Sequence, residues 1–443
     1  MAESFDQIFV SLKHWLVGLL PLGDNETWGD IQTWASVVIS VVAIMLVFAT
    51  LFAITTVFER KGLARIQNRY GPNRVGIPFT KISLFGFGQP IADGIKALIK
   101  EDLVPRTADK VVHYLAPIAM LVPLTLTLAV LPCGRNMTAL DLDAGLLYFF
   151  AVGAGAELAV FMAGWSSRNK YSLFGAMRAI AQMVSYEVPL ILSTVTVVMI
   201  VGSLSPVKIV EAQAGYGGWL PDWFVFTPWG LAGFLIFITA ATAESNRAPF
   251  DLPEGESELV AGYFLEYSGF KFAIFFMAEY FGMFAAGGMA ATLFLGGYAA
   301  PVQWLNWIPS WVWFFTKTMG FIFFLIWIRG TLPRLRQDQL MNFAWKFMLP
   351  MALINIVAVA VWHFMTPGIP RWLVCSAVVV GPYFFMGHGL MQNQHVGKRV
   401  YRYADWQKMG RIADLSYDSA TGISEVDFGA AGGGGGGGGA ATI

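Results

Sequence analysis

The chain is 443 residues long and carries 29 basic and 29 acidic side chains, so its formal net charge is zero. It is 56% apolar and only 13% charged, with a mean hydropathy of +0.58, against about 25% charged residues in soluble domains. These values exclude an ordinary soluble domain, remove any global case for nucleic-acid binding, and describe an all-α polytopic membrane protein.

The chain opens with Glu3 and Asp6 instead of the basic stretch of a secretory signal. Ile8 to Leu20 is apolar but too short to cross a bilayer, and Lys13 and His14 interrupt it. It reads as an interfacial helix within an N-terminal extension, residues 1–34. About 20 apolar residues span a bilayer. Counting such runs predicts spans near 35–58, 112–131, 144–164, 184–202, 229–243, 271–295, 308–329, 347–366 and 372–392. Eight of them form a core over 35–366. The ninth, within 367–394, is interrupted by Gly381-Pro382 and Gly387-His388-Gly389 and reads as a candidate additional span. Residues 395–443 are polar and then glycine-rich, with eight consecutive glycines from Gly432 to Gly439, and read as a disordered tail.

Basic residues alternate between the loops on the two sides. Loop 59–110 holds ten Lys/Arg, loop 165–183 three, loop 244–271 two, loop 329–346 four and the tail after 392 five. The opposite side holds Lys13, Arg135, Lys208 and Arg371. The positive-inside rule then puts the N-terminus outside and the long loops and tail in the cytoplasm. Lys317 alone among the cations falls inside a span, where it either snorkels to an interface or takes part in a relay. The cytoplasmic loops carry Gly, Pro and mixed charge, which predicts structure in them. Within 81–101, Ile91, Ile95, Leu98 and Ile99 share one helical face and Asp93, Lys96 and Lys100 lie off it, the pattern of a surface amphipathic helix.

The acidic residues inside or beside the spans carry the most information. Glu157, Glu187, Glu244 and Glu279 each sit in or at the edge of an apolar segment. One charge at mid-bilayer costs about 3 kcal/mol, so four facing lipid would cost roughly 10 kcal/mol. They are expected to face protein or a wet cavity, the raw material of an ion pathway. Glu187 lies at the predicted start of the fourth span, with Pro189 two residues on to permit a kink. Glu59-Arg60-Lys61 ends the first span and leads through Arg65 and Arg69 to the turn Gly71-Pro72-Asn73; it reads either as a basic anchor or as a charge-paired mouth. Asp93 either faces a cavity beneath the amphipathic helix or is simply solvated. Ala243 to Leu259 contains Pro249, Pro253 and Gly255 and cannot be one helix. It must double back at membrane level and line a chamber, with Glu254, Glu256 and Glu258 charging its wall. Trp327 to Arg336 closes another span with Arg329 and Arg334 around Pro333.

Cofactor motifs are absent. Cys133 and Cys375 are far apart, the five histidines are scattered, and Gly86-Phe87-Gly88 is followed by Gln89-Pro90. A flavin, nicotinamide or ATP site, an iron–sulfur cluster and a metal centre are therefore not expected in this chain.

Taken together, Glu59-Arg60-Lys61 through Gly71-Pro72-Asn73, Gln89 to Lys96, Ser185 to Pro189, Ala243 to Leu259 and Trp327 to Arg336 resemble one family. It is the quinone-site membrane subunit, the H-type subunit, of proton-pumping NADH:quinone oxidoreductase (respiratory complex I). The resemblance covers about residues 35–366, and Ala243 to Leu259 is its most specific part. It implies eight core helices at the heel of a membrane arm in a bacterial inner membrane. It implies a chamber for ubiquinone or menaquinone lined by Glu59, Arg60, Arg69, Asp93, Arg247, Asp251, Glu254, Glu256, Glu258, Arg329 and Arg334. It also implies a proton path through Glu157, Glu187, Glu244 and Glu279.

Its implied partners are the soluble quinone-site and iron–sulfur subunits, small membrane subunits and antiporter-like subunits. Electrons would arrive from a neighbour's iron–sulfur centre. The rival readings are the equivalent subunit of a membrane-bound hydrogenase or ferredoxin-driven complex and, more remotely, a free-standing ion transporter. The stretch before residue 35, the ninth apolar run and the glycine tail exceed the family's core.

Overall fold

A computed structural model of the chain describes residues 6–18, 26–76, 85–217, 221–251 and 262–397. It divides into residues 1–383 and a second unit beginning at residue 384. In chain order the helices are α1 (Ile8–Gly18), α2 (Glu26–Ile66), α3 (Gln89–Ile99), α4 (Lys110–Leu128), α5 (Gly145–Gly153), α6 (Gly155–Ser166), α7 (Lys170–Val201), α8 (Pro206–Ala212), α9 (Pro228–Glu244), α10 (Gly269–Phe294), α11 (Ser310–Thr331), α12 (Gln337–Phe343), α13 (Leu349–Phe364) and α14 (Ile369–Gly397). Among the described residues, seven segments are long and apolar enough to cross a membrane, and Pro228–Glu244 and Ile369–Phe384 are shorter apolar helices. The protein is an all-α polytopic membrane protein.

Polar caps set several helix starts. Asn169 accepts from the Tyr171 amide at 3.0 Å and Thr227 from the Gly230 amide at 3.2 Å. Gly202, at φ 70°, closes α7 in the left-handed conformation that favours glycine. A π-helical turn, Ala344–Met348, joins α12 to α13 just ahead of Pro350. The wider turn absorbs the missing proline amide, so one apolar segment continues from 337 to 364.

The spans that apolar counting predicts are all helical, with corrections to the fourth and the ninth, while the third is one membrane-length segment, Gly145–Ser166, with a break in its helix. The fourth begins at Lys170, not near 184. Its first half is held by small residues, not by hydropathy: Gly175, Ala176 and Ala179 are buried against neighbouring segments. Glu187 consequently lies in mid-helix, with Pro189 contained in α7. The third span is two helices meeting at Ala154. The ninth is continuous through Gly381-Pro382. The amphipathic helix is shorter than predicted, Gln89–Ile99, and its Ile91, Ile95, Leu98 and Ile99 are exposed. Residues 81–84 and 398–443 lie outside the described residues.

The core sits where α4, α6, α7, α9 and α10 pack together. Close approach comes from small residues, as expected where lipid offers no hydrophobic drive between helices. Ala156, Ala159, Ala163, Ala176, Ala179 and Ala278 are all buried there. A Cβ at Gly164 would lie 2.3 Å from the Ala176 Cβ, so the α6–α7 crossing depends on that glycine. Val42, Leu46, Leu147, Leu158, Leu235 and Val357 are exposed, as lipid-facing side chains should be.

Candidate functional site

Glu59 ends the membrane-crossing part of α2 and is 5% exposed. Arg247 Nη1 donates to its Oε1 at 3.0 Å. Arg329 Nη1 donates to the same oxygen, and the Tyr280 hydroxyl donates to Oε2. The Arg247 guanidinium also lies over the Tyr280 ring, 4.5 Å from its centroid. Three spans and one turn thus meet on one carboxylate. Glu59 offsets two arginines in a setting where a buried charge without a counter-charge is costly.

The turn carrying Arg247 follows the end of α9 and is fixed from α7. Gln182 Nε2 donates to the carbonyls of Ala243 and Phe250, each at 2.7 Å, and reaches Asn246 Oδ1 at 3.3 Å. Asn246 takes a positive φ of 49°, which turns the chain so that the Arg247 amide returns to the Thr242 carbonyl. The Leu335 amide donates to the Pro249 carbonyl at 3.0 Å, and Arg334 pairs with buried Asp251 at 2.7 Å. The end of α11 and the turn after α9 are therefore one unit.

Arg60 and Asp93 pair at 2.7 Å, and Asp93 also accepts from Gln89 Nε2 at 2.8 Å. This ties α3 to the end of α2 through half-exposed partners. Arg60, Arg69, Tyr70, Pro72 and Gln89 line an open groove of about 430 Å³. Lys61, Arg65, Tyr70, Asn73 and Phe85 line a neighbouring one of about 500 Å³. Gly86, at φ 86°, allows the chain to lie against Pro72, where any Cβ would be 1.9 Å from the Pro72 carbonyl oxygen.

Four half-buried carboxylates from four helices line one partly open cavity of about 60 Å³, enough for roughly four waters. Glu157 comes from α6, Glu187 from α7, Glu244 from the end of α9 and Glu279 from α10. No Lys or Arg of the described residues lines it; Thr127, Ser245 and Asn246 add polar atoms, and Phe149, Phe150 and Phe237 form its apolar wall. Tyr263 Oη donates to Glu279 Oε1 at 3.1 Å.

The structure thus brings Glu59, Arg247 and Arg329 together, pairs Asp251 with Arg334 and Asp93 with Arg60, and gathers the four intramembrane glutamates. Arg69 shares the groove with Arg60 and contacts Gln67 at 2.7 Å. Glu254, Glu256 and Glu258 lie outside the described residues. Sequence reading missed Tyr280, Tyr263 and Gln182. Tyr280 was legible as the neighbour of an intramembrane glutamate; Gln182 fell in the polar half of α7 that hydropathy assigns to a loop.

The family model described as NADH dehydrogenase matches residues 39–360. The chain is 49% identical over 309 residues to the H subunit of NADH-quinone oxidoreductase from Geobacillus kaustophilus, covering 69% of this chain and 88% of the relative. It is 46% identical over 323 residues to the H subunit from Dehalococcoides mccartyi strain CBDB1, covering 73% and 84%. It is 47% identical over 317 residues to the first H subunit from Geobacter metallireducens, covering 69% and 90%. The match spans the whole of the cavity and the arginine cluster, and the chain belongs to the H-subunit family of NADH-quinone oxidoreductase.

Proposed function

We propose that this chain forms one wall of the quinone chamber of a proton-translocating NADH:quinone oxidoreductase and the first stretch of its proton path. The observation that carries this reading is the shared cavity of Glu157, Glu187, Glu244 and Glu279, with Glu279 directly preceding a tyrosine of the arginine cluster. Four carboxylates around about 60 Å³, with no Lys or Arg among the described lining residues, disfavour one another's ionised form. In this reading they share protons, and a set that shares protons can pass them on.

In this reading the grooves beside Arg60, Arg69 and Tyr70 lie on the quinone's approach. Glu254, Glu256 and Glu258, which follow Asp251 in the sequence, belong to the chamber's acidic loop in the same reading. The substrate is a ubiquinone or menaquinone, and electrons come from an iron–sulfur centre of a soluble partner. When charge develops on the quinone headgroup, the Glu59–Arg247–Arg329–Tyr280 cluster responds first, because its buried ions are weakly screened. Arg247 belongs to the turn that carries Asn246 into the cavity wall, and Tyr280 to the helix that carries Glu279. A shift of either changes the field at the glutamates, and protons redistribute toward antiporter-like partners. The chain sits in a bacterial inner membrane with its N-terminus outside and its charged loops in the cytoplasm.

The test is the complex carrying Glu157→Gln, Glu187→Gln or Glu244→Gln, reconstituted into vesicles. Each should slow coupled quinone reduction and lower proton transfer per quinone reduced. Normal rate and stoichiometry in all three would sink the reading. Co-migration of flavin and iron–sulfur absorbance with this polypeptide in mild detergent separates an NADH-linked complex from a hydrogenase-type assembly.

A further inference from the structure

A second titratable cluster lies apart from the arginine site and the glutamate cavity. His113, in the first turn of α4, is fully buried, and neither ring nitrogen has a well-formed hydrogen bond among the described residues. Its ring stacks flat on Tyr267, with centroids 4.1 Å apart and planes 5° from parallel. The charged groups around it are Lys271 at the start of α10, Asp102 in the loop before α4, and Glu266 beside Tyr267. Lys271 pairs with Asp102 at 2.8 Å and lies over the Tyr114 ring at 3.5 Å; Asn169 holds Glu266 at 2.7 Å. Asp102 is solvent-exposed. A buried imidazole whose one polar neighbour is the Glu266 backbone, with the exposed Asp102–Lys271 pair acting on it through space, has a ring nitrogen left to exchange a proton.

This cluster reaches the glutamate cavity through contiguous side chains. Tyr267 packs edge-on against Phe275, 4.9 Å between centroids, and Phe275 packs edge-on against Tyr263 at 6.0 Å. Tyr263 is the donor to Glu279. On α4, Met120 lies two turns beyond His113, about 10 Å along the axis, and it belongs both to the packed core and to the cavity wall. Met120 is the flexible, unbranched side chain in that barrier. Burial pushes the Tyr267 phenol up to about 12, and its hydroxyl is held by Ser166 at 3.1 Å. Tyr267 therefore stays neutral and serves as the stacking wall.

Resting on the proton-path reading, we propose that His113 is a proton-loading residue, feeding the glutamate cavity from the Asp102 side by a branch that bypasses the Glu59–Arg247 cluster. A proton captured near Asp102 adds to an imidazole nitrogen of His113. The imidazolium is balanced by Asp102 and Glu266 and opposed by Lys271. On movement of Met120 it passes the proton to a carboxylate of the cavity and returns to neutral.

The test uses the assembled complex in vesicles with three variants: His113→Phe, His113→Gln and Asp102→Asn. His113→Phe keeps a flat ring on Tyr267 but cannot carry a proton. Expected for both His113 variants is a several-fold loss of coupled rate at low pH that shrinks as pH rises and the imidazole ceases to load, with fewer protons moved per quinone. Asp102→Asn, on the surface, should show a milder loss with the same pH trend even if the core variants assemble poorly. A His113→Phe complex with wild-type stoichiometry and pH profile would overturn the branch, as would an unchanged pH profile in Asp102→Asn. If the glutamate variants are impaired while these are normal, only the branch fails. If the glutamate variants are also normal, the proton-path reading fails with it.

Discussion

Glu279 and Tyr280 are consecutive residues that belong to different clusters, the first half-buried and the second buried. Glu279 faces the carboxylate cavity and accepts from Tyr263, while the Tyr280 hydroxyl turns toward Glu59 between two arginines. Successive residues on a helix point about 100° apart, so α10 serves as the partition between a charge-paired site and a cation-poor one. Any movement of α10 is felt by both.

The first prediction concerns Glu59. Removing one partner of a buried ion pair costs about 3–5 kcal/mol, because the remaining charge is stranded. Glu59→Gln strands Arg247 and takes the carboxylate from half-buried Arg329. The thermal-inactivation midpoint of the detergent-purified complex should fall clearly. Asp93→Asn, which breaks a half-exposed pair with Arg60, should cost about 1 kcal/mol or less. Equal shifts for the two variants would contradict the assignment of Glu59 as the buried hub.

The second prediction is non-additivity in the cavity. Groups in one network couple, and groups far apart do not. Glu157→Gln combined with Glu187→Gln should lose little more proton translocation than the worse single variant, because both act on one shared set of protons. A product of the two separate losses would mean that the glutamates act in independent places.

Much of this is legible in the residues alone. Carboxylates in apolar segments have few tolerable environments, so Glu157, Glu187, Glu244 and Glu279 announce a sheltered interior by their cost. The proline-broken turn after Glu244 announces itself in the same way. Two things stay hidden. Hydropathy sees only the lipid-facing part of a helix, so the half of α7 from Lys170 to Ser185, held by Gly175 and Ala179 against protein, reads as loop. Contacts between distant residues leave no local trace either: Gln182 meeting Ala243 and Phe250, or Tyr280 meeting Glu59, follow from how the helices cross.

The third prediction follows from Gln182. Its amide holds the carbonyls of Ala243 and Phe250 and contacts Asn246. Gln182→Leu keeps much of the volume but strands those acceptors, at about 1–3 kcal/mol for each one left unsatisfied. The turn from Ala243 to Asp251 should exchange its amide hydrogens faster, and quinone reduction should fall because Arg247 and Asp251 ride on that turn. Unchanged exchange in residues 243–251 would show that the clamp is unnecessary.

The fourth prediction contrasts two glycines. A Cβ at Gly175 would lie 2.6 Å from the Gly262 Cα, which is backbone and cannot swing away, whereas one at Gly320 meets nothing within 4 Å. Overpacking costs about 1–3 kcal/mol, and a helical Gly→Ala change in open space is mildly favourable. Gly175→Ala should lower the inactivation midpoint and Gly320→Ala should leave it level or raise it. The reverse order would place the α7 contact elsewhere.

The fifth prediction separates structure from proton transfer at Lys317. Its ammonium donates to the carbonyls of Leu295, Gly297 and Ala299 at 2.7, 2.8 and 2.7 Å and lies over the Trp223 ring at 4.1 Å. Those carbonyls belong to the chain leaving α10, so the cation closes that helix end. Three carbonyls use all three of its donors. Lys317→Met should therefore strand acceptors and loosen residues 295–300, lowering the inactivation midpoint. Protons moved per quinone should stay normal in the molecules that remain active. A loss of stoichiometry at unchanged stability would instead assign Lys317 to the relay.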